Sequence, residues 1–136
     1  MRRFRLIEHT ADTGLIASGR DLAEAFANAA VGMFGIITDL RSVREREARA
    51  LEVQEADVEG LLFGWLNELL YVFDVDHLLF KRCAIEAFDG QRLKATCYGE
   101  RYDPARHKLK IGIKSATYHM LKVDRLKNEV QVIFDV

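Results

Sequence analysis

The chain has 136 residues and a formal net charge of −1, enough length to bury a sizeable core and too little charge for a global field that would draw it to nucleic acid or a membrane surface. Attraction to RNA would therefore need a local patch. No stretch approaches the roughly 20 apolar residues of a membrane span, and the basic start Met1-Arg2-Arg3-Phe4 is not followed by the apolar run of a signal peptide. Cys83 and Cys97 have neither zinc nor redox spacing and read as reduced, buried thiols of a cytoplasmic protein. Pro104 is the single proline, and no low-complexity tract marks a linker, so residues 1–136 read as one domain.

Arg3 to Ile7 reads as a short strand with Phe4 and Leu6 on one face, and Leu15-Ile16-Ala17 as a second. Gly19-Arg20 turns the chain into a helix with Asp21 as N-cap and Glu24 completing a capping-box pattern. Its buried stripe is Leu22, Ala25, Phe26, Ala29, Ala30, Met33 and Phe34, and Gly35 marks its fraying end. From Ser42 to Val53 the run Arg44-Glu45-Arg46-Glu47 suits a helix face or an edge strand; the alternation of Leu51 and Val53 with charges favours an exposed strand. Asp57 then caps a second helix, Val58 to about Phe73, whose stripe runs Leu61, Leu62, Trp65, Leu66, Leu69, Leu70, Phe73 and whose partner is a sheet.

Beyond Leu78 the pattern becomes one of strands. Phe80 to Phe88 leads to the hairpin turn Asp89-Gly90, and the return strand alternates Leu93, Ala95 and Cys97 with Lys94, Thr96 and Tyr98. Asp103-Pro104 makes a turn. Leu109, Ile111 and Ile113, alternating with Lys108, Lys110, Gly112 and Lys114, predict a half-buried strand with a modest basic stripe. Leu121–Leu126 and Glu129–Phe134 predict a final hairpin turning near Lys127-Asn128. The fold class is α+β: two helices packed on a largely antiparallel β-sheet.

The chemistry gathers in two places. Glu8-His9-Thr10-Ala11-Asp12-Thr13-Gly14 is a polar knot between two apolar strands, with a glycine that frees the backbone to turn. Phe134-Asp135-Val136, where the sequence stops, sets a side-chain carboxylate beside a terminal one. If these segments meet, Asp12, Asp135 and the Val136 carboxylate form a hard oxygen site whose mutual repulsion calls for a cation such as Ca²⁺ or Mg²⁺; apart, they are surface charges. His9 reads as a hydrogen-bonding residue and Glu8 as structural, His77 as exposed near a helix end, and His107 and His119 as far apart, without metal spacing. Lys114, opening Lys-Ser-Ala-Thr-Tyr-His, is a solvent-side lysine or an anchor for phosphate or a partner's acidic group, with Thr117 and Tyr118 as added donors. No Gly-rich phosphate loop, nucleophile elbow or nucleophile–base pair is present, which points to a binding or accessory module rather than an independent enzyme.

Four pieces in order carry a resemblance: Glu8 to Gly14; Asp57 to Tyr71, containing Trp65-Leu66-Asn67-Glu68-Leu69-Leu70-Tyr71; Gly99-Glu100 with Ile113 to His119; and Phe134-Asp135-Val136. Together they resemble the archease family across essentially the whole length. That resemblance implies a single archease-type domain and an accessory role. Archeases assist the tRNA-splicing RNA ligase, which joins a 2′,3′-cyclic or 3′-phosphate to a 5′-hydroxyl through a guanylylated histidine and metal ions. It further implies promotion of ligase guanylylation and multiple turnover, a broadened nucleotide use, and no catalysis by the chain itself. Asp12, Asp135 and the Val136 carboxylate match the family's metal site, usually assigned to calcium, and Lys114 its functionally important lysine. Ser115-Ala116 departs from the family's more frequent Ala-Val. The ligase is the expected partner, with tRNA reached indirectly and no membrane. Alternatives are a chaperone-like partner of a tRNA methyltransferase and a small metal-dependent hydrolase built on Asp12 and Asp135.

Overall fold

The computed structural model describes residues 3–8 and 13–136, Glu8 through its backbone only. The first elements are β1 (Phe4–Glu8), β2 (Thr13–Ser18) and α1 (Leu22–Ile37). Asp21 caps α1 as expected, accepting from the Glu24 N–H at 2.8 Å, but the Glu24 carboxylate reaches back to the Arg20 N–H and guanidinium rather than to the cap residue's own N–H. The helix also runs past Gly35 to Ile37, because Ile36 and Ile37 are buried and tertiary packing outweighs the modest cost of a helical glycine.

A short 3₁₀ turn, Leu40–Ser42, leads to β3 (Glu47–Gln54), so the exposed strand is shorter than the Ser42–Val53 pattern allowed. α2 (Val58–Asp76) is capped by Asp57, which accepts from the Gly60 N–H at 2.7 Å, and ends at His77 in the left-handed region, φ 59°. Trp65 is fully buried, and its indole N–H donates to the Phe26 carbonyl at 3.0 Å, tying the two helices together. β4 (Leu78–Phe88) and β5 (Arg92–Arg101) form the hairpin read from Asp89-Gly90, with Gly90 at φ 90°. β6 (Ser115–Ala116), β7 (Lys122–Asp124) and β8 (Glu129–Asp135) complete the chain.

The strands are antiparallel, as expected, but they divide between two sheets: β1-β2-β8-β6 with β7 also on β8, and β3-β5-β4. Each helix touches both. α1 packs on β2, β8 and β4, and α2 on β3, β4, β5, β6 and β7. The core between them includes Phe26, Phe34, Trp65, Phe80 and Phe134, with Phe34 and Phe80 meeting edge to face at 5.7 Å.

Two predicted strands are corrected. Residues 108–114 alternate, but they make one bridge, Leu109 to Thr38, flanked by the Lys110 N–H on the Ile37 carbonyl and the Thr38 hydroxyl on the Lys108 carbonyl. β8 has β2 on one side and β6 and β7 on the other, so no ladder on it is left for this segment. Leu109 and Ile111 stay partly exposed, and the lysine stripe has no strand face to share. Likewise Leu121–Leu126 shortens to Lys122–Asp124, and Leu126 is 97% exposed in the turn before Asn128.

Candidate functional site

β2, β6 and β8 bring distant parts of the sequence to one end of the first sheet. Thr13 faces Phe134 across β2 and β8, while Ser115 faces Asp135 and Ala116 faces Phe134 across β6 and β8. The Lys114 N–H donates to the Asp135 carbonyl at 2.8 Å. Lys114, Asp135 and Val136 are all exposed at this end. Asp12 and His9 lie outside the described residues; the residue bonded to Asp12, Thr13, is the one that faces Phe134.

Gly14 serves this convergence differently from the expected turn. It lies in β2 opposite Ile133, and a Cβ there would come within 2.6 Å of Ile133 Cδ1 and 2.7 Å of the Val132 carbonyl oxygen. The missing side chain lets β2 and β8 close with the Ile133 side chain lying over the backbone.

The Lys114–Tyr118 segment is held from two sides. Toward β8, the Thr117 N–H and hydroxyl both donate to the Ile133 carbonyl, so this hydroxyl is engaged within the fold rather than offered to a phosphate. Toward α2, Asn67 does what a further strand would do. Its side-chain carbonyl accepts from the Ala116 N–H at 2.8 Å and its amide donates to the Ala116 carbonyl at 3.3 Å. One turn earlier Phe63 stacks on Tyr118 with centroids 4.2 Å apart and planes 13° from parallel. Asn67 was visible in the sequence as part of a motif, but its bond partner 49 residues away was not.

No three His, Cys, Asp or Glu side chains converge as a metal site among the described residues. The Asp135 side chain is a hard oxygen donor, a chemistry that suits calcium or magnesium over soft metals. The third expected donor, Asp12, is outside the described residues.

A second polar cluster, unseen in the sequence reading, lies at the end of β5. Glu100 is buried, 5% exposed, and accepts from the Arg44 N–H at 2.8 Å and from the Arg106 guanidinium. His107 is 2% exposed and belongs to the same cluster. Its Nδ1 accepts from the Asp103 N–H at 2.8 Å, which leaves the proton on Nε2 to donate to Glu100 at 2.9 Å. Burial pushes the Glu100 carboxyl up, but the Arg44 N–H, His107 and Arg106 more than offset it and hold the group below the usual carboxylate range. The exposed Arg46 guanidinium also lies 3.7 Å from Glu100, so the cluster braces the Asp103-Pro104 turn from within while its arginines reach the surface.

The sequence matches the Archease protein family (MTH1598/TM1083) over residues 4–136. It is 40% identical over 129 residues to the protein archease of Pyrococcus abyssi, covering 93% of this chain and 91% of the relative. Among solved structures it is similar to the solution structure of Methanobacterium thermoautotrophicum protein 1598, with a TM-score of 0.82, 34% identity and complete coverage of both chains. The crystal structure of an archease from Thermotoga maritima, described as a possible chaperone, shares the fold at a TM-score of 0.66 and 24% identity, covering 100% of this chain and 98% of that one.

Proposed function

Because the chain belongs to the archease family, we propose that it is the accessory protein of a tRNA-splicing RNA ligase, promoting ligase guanylylation and multiple turnover without catalysing a reaction itself. The observation that carries this reading is the convergence at one sheet end of Lys114, Asp135 and Thr13, the residue after Asp12. Guanylylation brings a triphosphate, metal ions and a histidine together, so positioning and charge neutralisation dominate its barrier. Asp12 and Asp135, with the carboxylate of Val136, hold a divalent cation, calcium by preference, and Lys114 reaches a phosphate or a ligase carboxylate. The metal-bearing tip enters the ligase active site and orients the nucleotide, which also broadens nucleotide use. The tRNA is reached through the ligase. No helix among the described residues is long and apolar enough to cross a membrane.

The test is ligation under single- and multiple-turnover conditions by the cognate ligase, with wild type beside Asp12→Ala and Lys114→Ala. Wild type speeds later turnovers, and each variant loses about tenfold of that acceleration, the scale of one charge-assisted contact. Normal stimulation by both variants would refute the site while leaving the role. No stimulation by wild type would refute the role. Calcium should also raise the wild-type Tm relative to a chelator, and this rise should vanish in Asp135→Ala.

A second reading, a chaperone-like partner of a tRNA methyltransferase, draws on exposed aromatic groups: Tyr118 at 58% exposure, and Tyr71, one helical turn beyond Asn67, at 61%. Methyltransferase binding that survives Asp12→Ala would favour it.

A further inference from the structure

We propose that Cys83 and Cys97 form a redox-closing pair, which peroxide joins into a cross-strand disulfide locking β4 onto β5. They are directly opposed in the antiparallel register, in the regular stretch between the two bulges of β4. Opposed residues put their side chains on the same face, with Cα atoms about 4.5 or 5.5 Å apart depending on the pair type. Both spacings fall within the roughly 4.4–6.8 Å that a disulfide spans. Both thiols are free, and they are the two cysteines of the chain. This proposal is independent of the ligase reading.

Access is one-sided. Cys97 is fully buried, while Cys83 is partly exposed and lines a groove of about 280 Å³ between α1 and β4, walled by Arg20, Ala23, Glu24 and Ala27. That groove is wide enough to bring a peroxide against the partly exposed side of Cys83. The Cys83 thiolate attacks one peroxide oxygen; the O–O bond breaks, water leaves after protonation, and a sulfenic acid remains. The Cys97 sulfur then attacks the Cys83 sulfur, the S–O bond breaks, and the hydroxide takes up the Cys97 proton as a second water. Two thiols lose two electrons and one peroxide becomes two waters. The neighbouring Cys97 thiol, followed by burial, pushes the Cys83 thiol well up, so closure is slow at neutral pH and quickens as pH rises.

The experiment exposes the folded full-length chain to hydrogen peroxide at mildly alkaline pH. Intact mass, a non-reduced peptide map and a thermal melt are then recorded. The expected product is a monomer lighter by two hydrogens, with the Cys83 and Cys97 peptides linked. Its Tm should rise by about 5–10 °C, because the link closes a roughly 15-residue loop in the unfolded chain. Dithiothreitol should reverse both changes, and Cys83→Ser should show neither. The wild-type result and its reversal decide the matter even if the variant folds poorly. Two free thiols after exposure long enough to oxidise the methionines would overturn the proposal. So would over-oxidised cysteine or a disulfide between chains as the main product.

Discussion

Replacing Asn67 with alanine tests the link between α2 and the segment bearing Lys114. The substitution removes the 2.8 Å bond from the Ala116 N–H and the weaker 3.3 Å bond to the Ala116 carbonyl. Ala116 is 2% exposed, so water does not simply replace the lost acceptor. A buried backbone N–H left unpaired costs about 1–3 kcal/mol, and the long second bond adds only about 0.5 kcal/mol. The expected loss is therefore about 2 kcal/mol, a fall in urea midpoint of about 1 M and in Tm of about 7 °C. Urea melts followed through Trp65, the only tryptophan, measure it. Asn67→Asp keeps the acceptor for the Ala116 N–H but sets a carboxylate against the Ala116 carbonyl, so it should fall between wild type and alanine, or below alanine if repulsion dominates. Because Ala116 sits two residues from Lys114, Asn67→Ala should also weaken ligase stimulation while the protein is still folded. A midpoint within experimental error of wild type, with full stimulation, would refute the idea that Asn67 completes the edge of β6.

Other outcomes follow from the same contacts. Glu100→Gln removes a buried charge from the Arg106 and His107 cluster and should cost about 2–3 kcal/mol at pH 7. The folded Glu100 carboxyl lies below its usual range, so its contribution is complete above the unfolded carboxylate pKa and fades as pH falls through the folded one. Denaturant melts of the two proteins should therefore converge in acid, and a gap independent of pH would count against the charge. Gly99→Ala would put a Cβ 1.8 Å from the Leu79 carbonyl oxygen and 2.8 Å from the Phe80 Cα, both backbone atoms that cannot move aside. Loss of more than about 4 kcal/mol, read as insolubility or a collapsed Tm, is expected.

What the sequence determined by itself is mainly local. Asp21 and Asp57 cap their helices because a cap needs only its own next turn, and the apolar stripes of α1 and α2 are the faces that became buried, Phe73 at the end of the second only partly. Asp89-Gly90 makes its hairpin for the same reason, since the turn chemistry lies within the turn. Tertiary structure decided the rest. Alternation at 108–114 marked a strand, but a strand exists only where a neighbour has free backbone groups, and that segment finds one bridge. Gly14 looked like a turn residue and is instead where β8 closes in. Of the candidate site, the order of its pieces was legible, and the pairing of Ser115 with Asp135 and of Thr13 with Phe134 was not. Neither was Asn67 on the edge of β6, nor the enclosure of Glu100 with His107. Each of these joins residues brought together by packing, and a lone sequence carries no period or spacing that records which buried backbone group a distant side chain will satisfy.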